Sequence, residues 1–483
     1  MPDGESFAAW LPLRLSRLLV LSLTSSMPRT GVERSTTCSC TARSPRARFR
    51  QLRVWLFALA VPAFAASTEA QEATAPPRGL TLGTLYATAS RLNPRLTAAN
   101  ALVTAAEARV PGTRRPPDPQ LQLGFMNRAL PGLGPMDPLG MTQLQVMQMV
   151  PTAGKLGLAG AAAEARVGGV RARALDLRWE VRSQVAAAFY EVYRTERSIE
   201  IAIDTRRLMT DVASTAEAMY RVGETAQADV LKARVEVSRM TEDITAMRAM
   251  RAVNLARLGG LLNQPVDSTA DAVLPAFPDS LLPLDSLVGQ AATLRPMVQA
   301  GEADLRAAEA DERLATREIW PDLQVGVQYG QRGGMTGVER MGSLMLGASV
   351  PIFAKSRQYR MRDETGAMRA MAAADLAAMK AETRAKVGVA YAEWTRARNL
   401  RSLYLASVLP QARAAVTASL AAYRVGRVNL MTLLDNQATA NRYEQELAAL
   451  DAAEGMALAD MEMLLGRELF DSNTGRATPG GNR

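Results

Sequence analysis

Hydrophobic and polar residues alternate in two short stretches of this chain, and each stretch fits a β-strand with one apolar face. In the first, Leu121, Leu123 and Phe125 share one face, while Gln120, Gln122 and Gly124 share the other. In the second, Leu323, Val325, Val327 and Tyr329 oppose Gln324, Gly326, Gln328 and Gly330. Each stretch runs through a loop rich in Gly into another candidate strand. One is 141–150, ending at Pro151; in the other, Leu344, Leu346, Ala348 and Val350 alternate up to Pro351. The alternation of 141–150 falters around Met147, which admits a bulge or a shifted phase. Strands of about ten residues have the length that crosses a bilayer when tilted. Four of them are too few for a soluble sandwich.

Elsewhere the period is helical. Residues 80–110 predict a helix broken at Asn93-Pro94, because proline lacks the amide proton and disfavours helix in its predecessor. Residues 111–118 read as a turn-rich entry to the first strand. Residues 152–263 hold no proline and, interrupted at Gly223, predict two antiparallel helices. The first, of about 67 residues, would be roughly 100 Å long at ~1.5 Å per residue. A heptad then sets in, with Val230, Val237, Ile244 and Leu258 in one slot and Met240, Met247 and Leu261 in the other. The second half answers with Leu433, Ala440, Leu447 and Met461, and with Tyr443, Leu450, Ala457 and Leu464. Even the defect is copied, as Arg251 and Glu454.

The two halves are a duplication. Tyr-Arg-Val-Gly occurs at residues 220–223 and again at 423–426, and the offset between matched positions stays between 200 and 203. Pro410 departs from the symmetry, since Arg207 stands at the matching place, and predicts a kink or helix break. The resulting division is a leader and signal peptide at 1–66, a flexible segment at 67–79, a first repeat at 80–264, a connector at 265–283, a second repeat at 284–467 and a disordered tail at 468–483.

Charge narrows the function. The formal net charge is +9, but nine Arg against three acids lie in residues 1–66, leaving 48 basic and 45 acidic side chains in the remainder. The basic excess therefore belongs mostly to the leader, and no nucleic-acid partner is expected. In that leader an Arg-rich segment precedes the apolar run from Val54 and the small-x-small triplet Ala63-Phe64-Ala65, the pattern of an export signal. A start codon placed too early accounts for its unusual length. Both cysteines, Cys38 and Cys40, fall there, and the chain has no histidine. The rest of the chain thus offers no Ser-His-Asp triad, no Cys/His zinc site and no disulfide. Neither enzymatic activity nor a cofactor is expected. Beyond the leader no run of about eighteen apolar residues exists to form a membrane helix. A membrane crossing must use strands.

Four strands cannot close a barrel, and open edges in hydrocarbon leave backbone amides unpaired. Several chains must therefore combine, and three would supply twelve strands. The fold class expected is mostly α with a small transmembrane β part. In it a duplicated unit gives four strands per chain to a trimeric twelve-stranded barrel, continued by a long α-helical coiled-coil tunnel.

The run Ala218-Met-Tyr-Arg-Val-Gly-Glu-Thr-Ala-Gln-Ala-Asp-Val-Leu and its partner Tyr423-Arg-Val-Gly-Arg-Val-Asn-Leu-Met-Thr-Leu-Leu-Asp resemble the paired motifs of the TolC-type outer membrane efflux proteins. Leu92-Asn-Pro, Val408-Leu-Pro-Gln-Ala and Leu464-Leu-Gly fit as well, so the resemblance covers residues 80–467. Its look is closest to the subgroup serving heavy-metal resistance pumps. The resemblance implies a homotrimer in outer membrane lipid that docks to a periplasmic adaptor protein and an inner-membrane pump. Tyr220, Arg221, Val222, Gly223, Tyr423, Arg424, Val425 and Gly426 would be the adaptor-docking tips. Asp229, Thr432 and Asp435 would mark the tunnel aperture. Thr432 replaces an acid of the family there, and Val428 replaces a basic residue, so the closed state would be latched differently.

In the barrel, Gln120, Gln122, Gln324 and Gln328 are expected in the lumen. Leu121, Leu123, Phe125, Leu323, Val325, Val327, Leu344 and Leu346 are expected to face lipid. Met126, Met136, Met141, Met147, Met149, Met335, Met341 and Met345 crowd the barrel segments, either as thioether ligands for copper or silver or as apolar filler. Two other functions stay open: an outer membrane conduit for type I protein secretion, and a non-channel periplasmic coiled-coil scaffold.

Overall fold

The structure is a computed structural model that describes residues 79–129, 134–135, 140–334 and 337–469. The expected leader, most of the flexible segment and of the tail, and Met136 and Met335 lie outside the described residues.

Two helices come first among the described residues, α1 (Leu82–Leu92) and α2 (Pro94–Thr113), broken where expected. Asn93 serves both: its backbone ends α1, its Oδ1 accepts from the Arg95 amide, and its Nδ2 donates to the Leu261 carbonyl at 2.8 Å. One expectation shifts, since α2 carries Pro111 inside its last turn and ends at Thr113. After β1 (Gln120–Met126), the short β2 (Arg128–Ala129) and β3 (Gly134–Pro135), and β4 (Met141–Val150), come α3 (Lys155–Arg221) and α4 (Gln227–Leu262). α3 runs unbroken for 67 residues.

The second half repeats this order with α5 (Leu284–Leu294), α6 (Pro296–Arg317), β5 (Asp322–Gly334), β6 (Gly337–Ser349), α7 (Gln358–Leu403), α8 (Leu409–Arg424) and α9 (Leu430–Leu465). Between α7 and α8 lies a π-helical turn, Tyr404–Val408. Pro410 explains it. With no amide hydrogen, it cannot pair with the carbonyl four residues back, and the Leu409 amide donates to Tyr404 five residues back instead. The expected break is thus an extra residue in the turn.

Three apolar clusters hold the helices together. The central one packs α1, α3 and α9 around Phe189 and Tyr190, and a Cβ at Gly455 of α9 would overlap the Tyr190 ring. This close approach demands glycine. The second joins α5, α7 and α9 around Trp394, Leu458 and Met461. The third lies at the hairpin tips. The copied heptad defects are charge sites, Arg251 half-buried and Glu454 buried. Arg251 reaches Glu196 at 2.7 Å and the carbonyls of Ser268 and Ala270 in the connector, while Glu454 lies 4.0 Å from Arg401. At the junction of sheet and helices, buried Lys155 contacts Asp322 at 2.8 Å, Glu318 at 3.4 Å and the Trp320 carbonyl at 2.9 Å. One cation there joins the first half to the second.

Candidate functional site: sheet faces and hairpin tips

β1, β4, β5 and β6 form one antiparallel sheet in the order β1-β4-β5-β6, so the outer edges of β1 and β6 face no other strand of that sheet. The register of β4 is continuous with both neighbours from Met141 to Met147, so the bulge that the sequence admitted there is absent. Directly paired residues point to the same side. Leu121, Val146, Val327 and Leu344 therefore form one cross-strand row, and Leu123, Leu144 and Tyr329 another. Phe125, Leu323, Val325 and Leu346 lie on that same apolar face. Its residues stand open, Leu121 at 68% and Leu346 at 76% exposure.

The opposite face carries Gln122, Gln145, Gln328 and Ser343 in one row, with Gln120, Met147, Gly326 and Met345 beside it. Gln324 pairs with Met149 on this side. Gln328 donates to Gln143, which adds a side-chain link along the face. Sequence reading missed Gln143, Gln145 and Ser343, although their period-two spacing from Met141 and Met345 carried the signal. It also missed where the methionines go. Met126, Met141, Met147, Met149, Met341 and Met345 all belong to the glutamine face.

At the far end of the helices the two hairpins turn identically. Gly223 has φ +82 and Gly426 has φ +69. In the first turn the Gly223 amide donates to Tyr220 and Glu224 to Met219; in the second, Gly426 donates to Tyr423 and Arg427 to Ala422. This pair of bonds satisfies the last carbonyls of α3 and α8 and needs left-handed backbone, hence glycine. Arg221, Val222, Arg424 and Val425 are exposed at the tips. The tyrosines differ: Tyr220 is 45% exposed, whereas Tyr423 is 2% exposed among Val230, Ala233, Leu430 and Leu433. Burial raises the Tyr423 phenol above its usual range, and the nearby Asp229 carboxylate adds to the effect. The Tyr423 hydroxyl has no hydrogen-bond partner among the described residues.

Asp229 accepts from the Thr225 hydroxyl at 2.8 Å in the first turn of α4. Thr432 occupies the first turn of α9, where both its amide and its hydroxyl donate to Asn429 Oδ1 at 2.9 Å. Asn429 thereby caps the helix start. Asp435 is exposed one turn further along. The tips thus bring Tyr423 and Asp229 together within one chain. No cluster of three or more His, Cys, Asp or Glu suited to a metal ion occurs among the described residues.

The solved outer-membrane channel OprN shares this fold with a TM-score of 0.69 at 19% identity, covering 80% of this chain and 89% of OprN. CusC, solved in a study of folding and transmembrane channel formation, gives 0.71 at 18% identity over 80% of this chain and 92% of CusC. The outer membrane protein VceC of Vibrio cholerae gives 0.68 at 16% identity, over 80% and 96%. Among curated proteins, the pyoverdine export outer membrane protein OpmQ of Pseudomonas putida is 24% identical over 294 residues. That match spans 58% of this chain and 61% of OpmQ, less than two thirds of the relative's length. The family model for outer membrane efflux proteins matches residues 85–264 and 287–467, one block in each half, each with its own strand pair and tip. With a repeated strand-and-hairpin unit and a sheet split into apolar and glutamine faces, the chain belongs to the outer membrane efflux protein family.

Proposed function

We propose that three copies of this chain close a twelve-stranded barrel in the outer membrane of a Gram-negative type cell. The helices continue it as a periplasmic tunnel, and the whole acts as a passive efflux conduit. The observation that carries this reading is the sheet: outer edges of β1 and β6 that pair with no other strand among the described residues, an apolar face and a polar face. An edge left open in hydrocarbon costs several kcal/mol per unpaired backbone group, and pairing β6 of one copy with β1 of the next removes it. A strand of 13 residues, as in β5 and β6, is about 44 Å long at ~3.4 Å per residue, enough to cross a tilted barrel wall. Ile352 and Phe353, 82% and 76% exposed directly after β6, give the wall an apolar lower margin.

Cargo enters from an inner-membrane pump through a periplasmic adaptor that grips the two hairpin tips. Exposed Val222 and Val425 supply apolar contact there, and Arg221 and Arg424 supply charge. Asp435 narrows the tunnel mouth, while Asp229 beside Tyr423 braces the closed state. Light scattering of the detergent-solubilised protein should give the mass of three chains, and planar bilayers should show ion-conducting pores. Asp435→Ala should raise single-channel conductance or remove cation block. A monomer that stays in plain buffer without detergent would overturn the conduit.

A further inference from the structure

We infer that the glutamine face of the sheet carries a thioether site for soft monovalent cations, Cu(I) or Ag(I), built from Met147 and Met345 across Gly326. Three observations on the sheet carry it. First, all six described methionines of β1, β4 and β6 stand on the glutamine face and none stands on the leucine face. Filler for an apolar surface would be found on the apolar side. Second, the register sets Met147 and Met345 on either side of Gly326, one from β4 and one from β6. Third, both side chains lean over that glycine. A Cβ placed there would lie 3.1 Å from Met147 Cγ and 3.4 Å from Met345 Cε. The missing side chain on the middle strand lets two thioethers from strands about 10 Å apart meet over one spot. Gly330 differs in detail: its register partners are Gln143 and Met341, and Met141 Sδ, from the diagonal position, would lie 3.0 Å from a Cβ there.

The ligand chemistry follows from what the chain lacks. With no histidine in the chain and both cysteines in the first 66 residues, thioethers are the soft donors available to the sheet. Thioether sulfur selects Cu(I) and Ag(I) over Zn²⁺, Mg²⁺ or Ca²⁺. Two neutral donors bind such an ion weakly, without the thiolate charge of a storage site. Weak, repeated sites suit passage, because conduction needs an ion to leave as readily as it enters. Transit along these sites rests on the glutamine face being the lumen; the binding itself does not.

The test uses the full-length chain with Cys38→Ser and Cys40→Ser, so that methionine is its only sulfur ligand. Silver nitrate is the probe, in chloride-free nitrate electrolyte. In planar bilayers, Ag⁺ should reversibly reduce the K⁺ current of the methionine-intact protein. Met147→Leu with Met345→Leu, each trace normalised to its own silver-free current, should lose most of that reduction. Met371→Leu, which alters an exposed methionine on α7, should keep it. Equilibrium dialysis of the detergent-solubilised proteins against Ag⁺ reads the site without any pore, and the double variant should bind about one ion fewer per chain. An unchanged silver stoichiometry in the double variant overturns the site, whatever the currents do. Absence of K⁺ current with the one-ion loss intact overturns the conduit and leaves the site standing.

Discussion

Tyr220 and Tyr423 begin the same tetrapeptide and end their helices with the same two backbone hydrogen bonds, yet one is exposed and the other is buried. The turn is a local matter, settled by a glycine that accepts left-handed backbone. The fate of the tyrosine is a matter of place. Tyr423 enters the meeting point of α3, α4 and α9, where Val230, Leu430 and Leu433 close over it. Tyr220 has no such cover. Duplication therefore preserved the turn while the two tyrosines part: Tyr423 is anchored in an apolar cluster, and Tyr220 stays open.

The sharpest way to break this comparison is truncation. Tyr423→Ala should destabilise the protein by about 3–5 kcal/mol in denaturant unfolding followed by circular dichroism, as for a large buried aromatic. Tyr220→Ala should stay within about 0.5 kcal/mol. Equal losses would erase the distinction. The turns themselves should respond alike. No atom lies within 4 Å of a Cβ placed on Gly223 or Gly426, so alanine at either meets only backbone strain, about 1–2 kcal/mol. Unequal effects would mean that the turns are not equivalent.

A smaller effect probes the copied heptad defect. Burial raises the Glu454 carboxyl above its ordinary value, and Arg401 and Arg398 offset this only in part. Folding thus favours the protonated acid. Its contribution is intact below the ordinary carboxylate range and is lost as pH rises through the raised value. Glu454→Gln should gain about 1 kcal/mol at neutral pH, and the gain should vanish near pH ~4. A gain that persists in acid would remove burial of the charge as its cause. Smallest of all, Tyr423→Phe should be neutral or stabilising by up to about 1 kcal/mol, since it removes a buried hydroxyl without a partner. A clear loss on unfolding would assign that hydroxyl a partner.

Much of this fold was legible because its signals are local. The phase of Leu121 and Leu323, the break at Asn93-Pro94 and the length of α3 follow from period and from proline placement. Met147 shows where local reading fails. Val146 and Met147 are both apolar, so the alternation looked broken, whereas the pairing keeps its register and methionine simply stands among glutamines. Its face is set by the neighbouring strands and by Gly326, which lie far away in sequence. Thr432 was expected at the aperture as a replaced acid, and its capping bond to Asn429 depends on where α9 begins. Likewise, the partners of half-buried Arg251 depend on the connector folding back over α4, which no heptad records.

The first half sends one continuous 67-residue rod from sheet to tip, while the second half reaches the same level through a rod with a joint at Tyr404–Val408. Bending collects where intrahelical bonding is already irregular and a proline withholds a donor. Any widening at the tips should therefore flex the second hairpin about that joint while the first stays straight, like a calliper with one fixed arm.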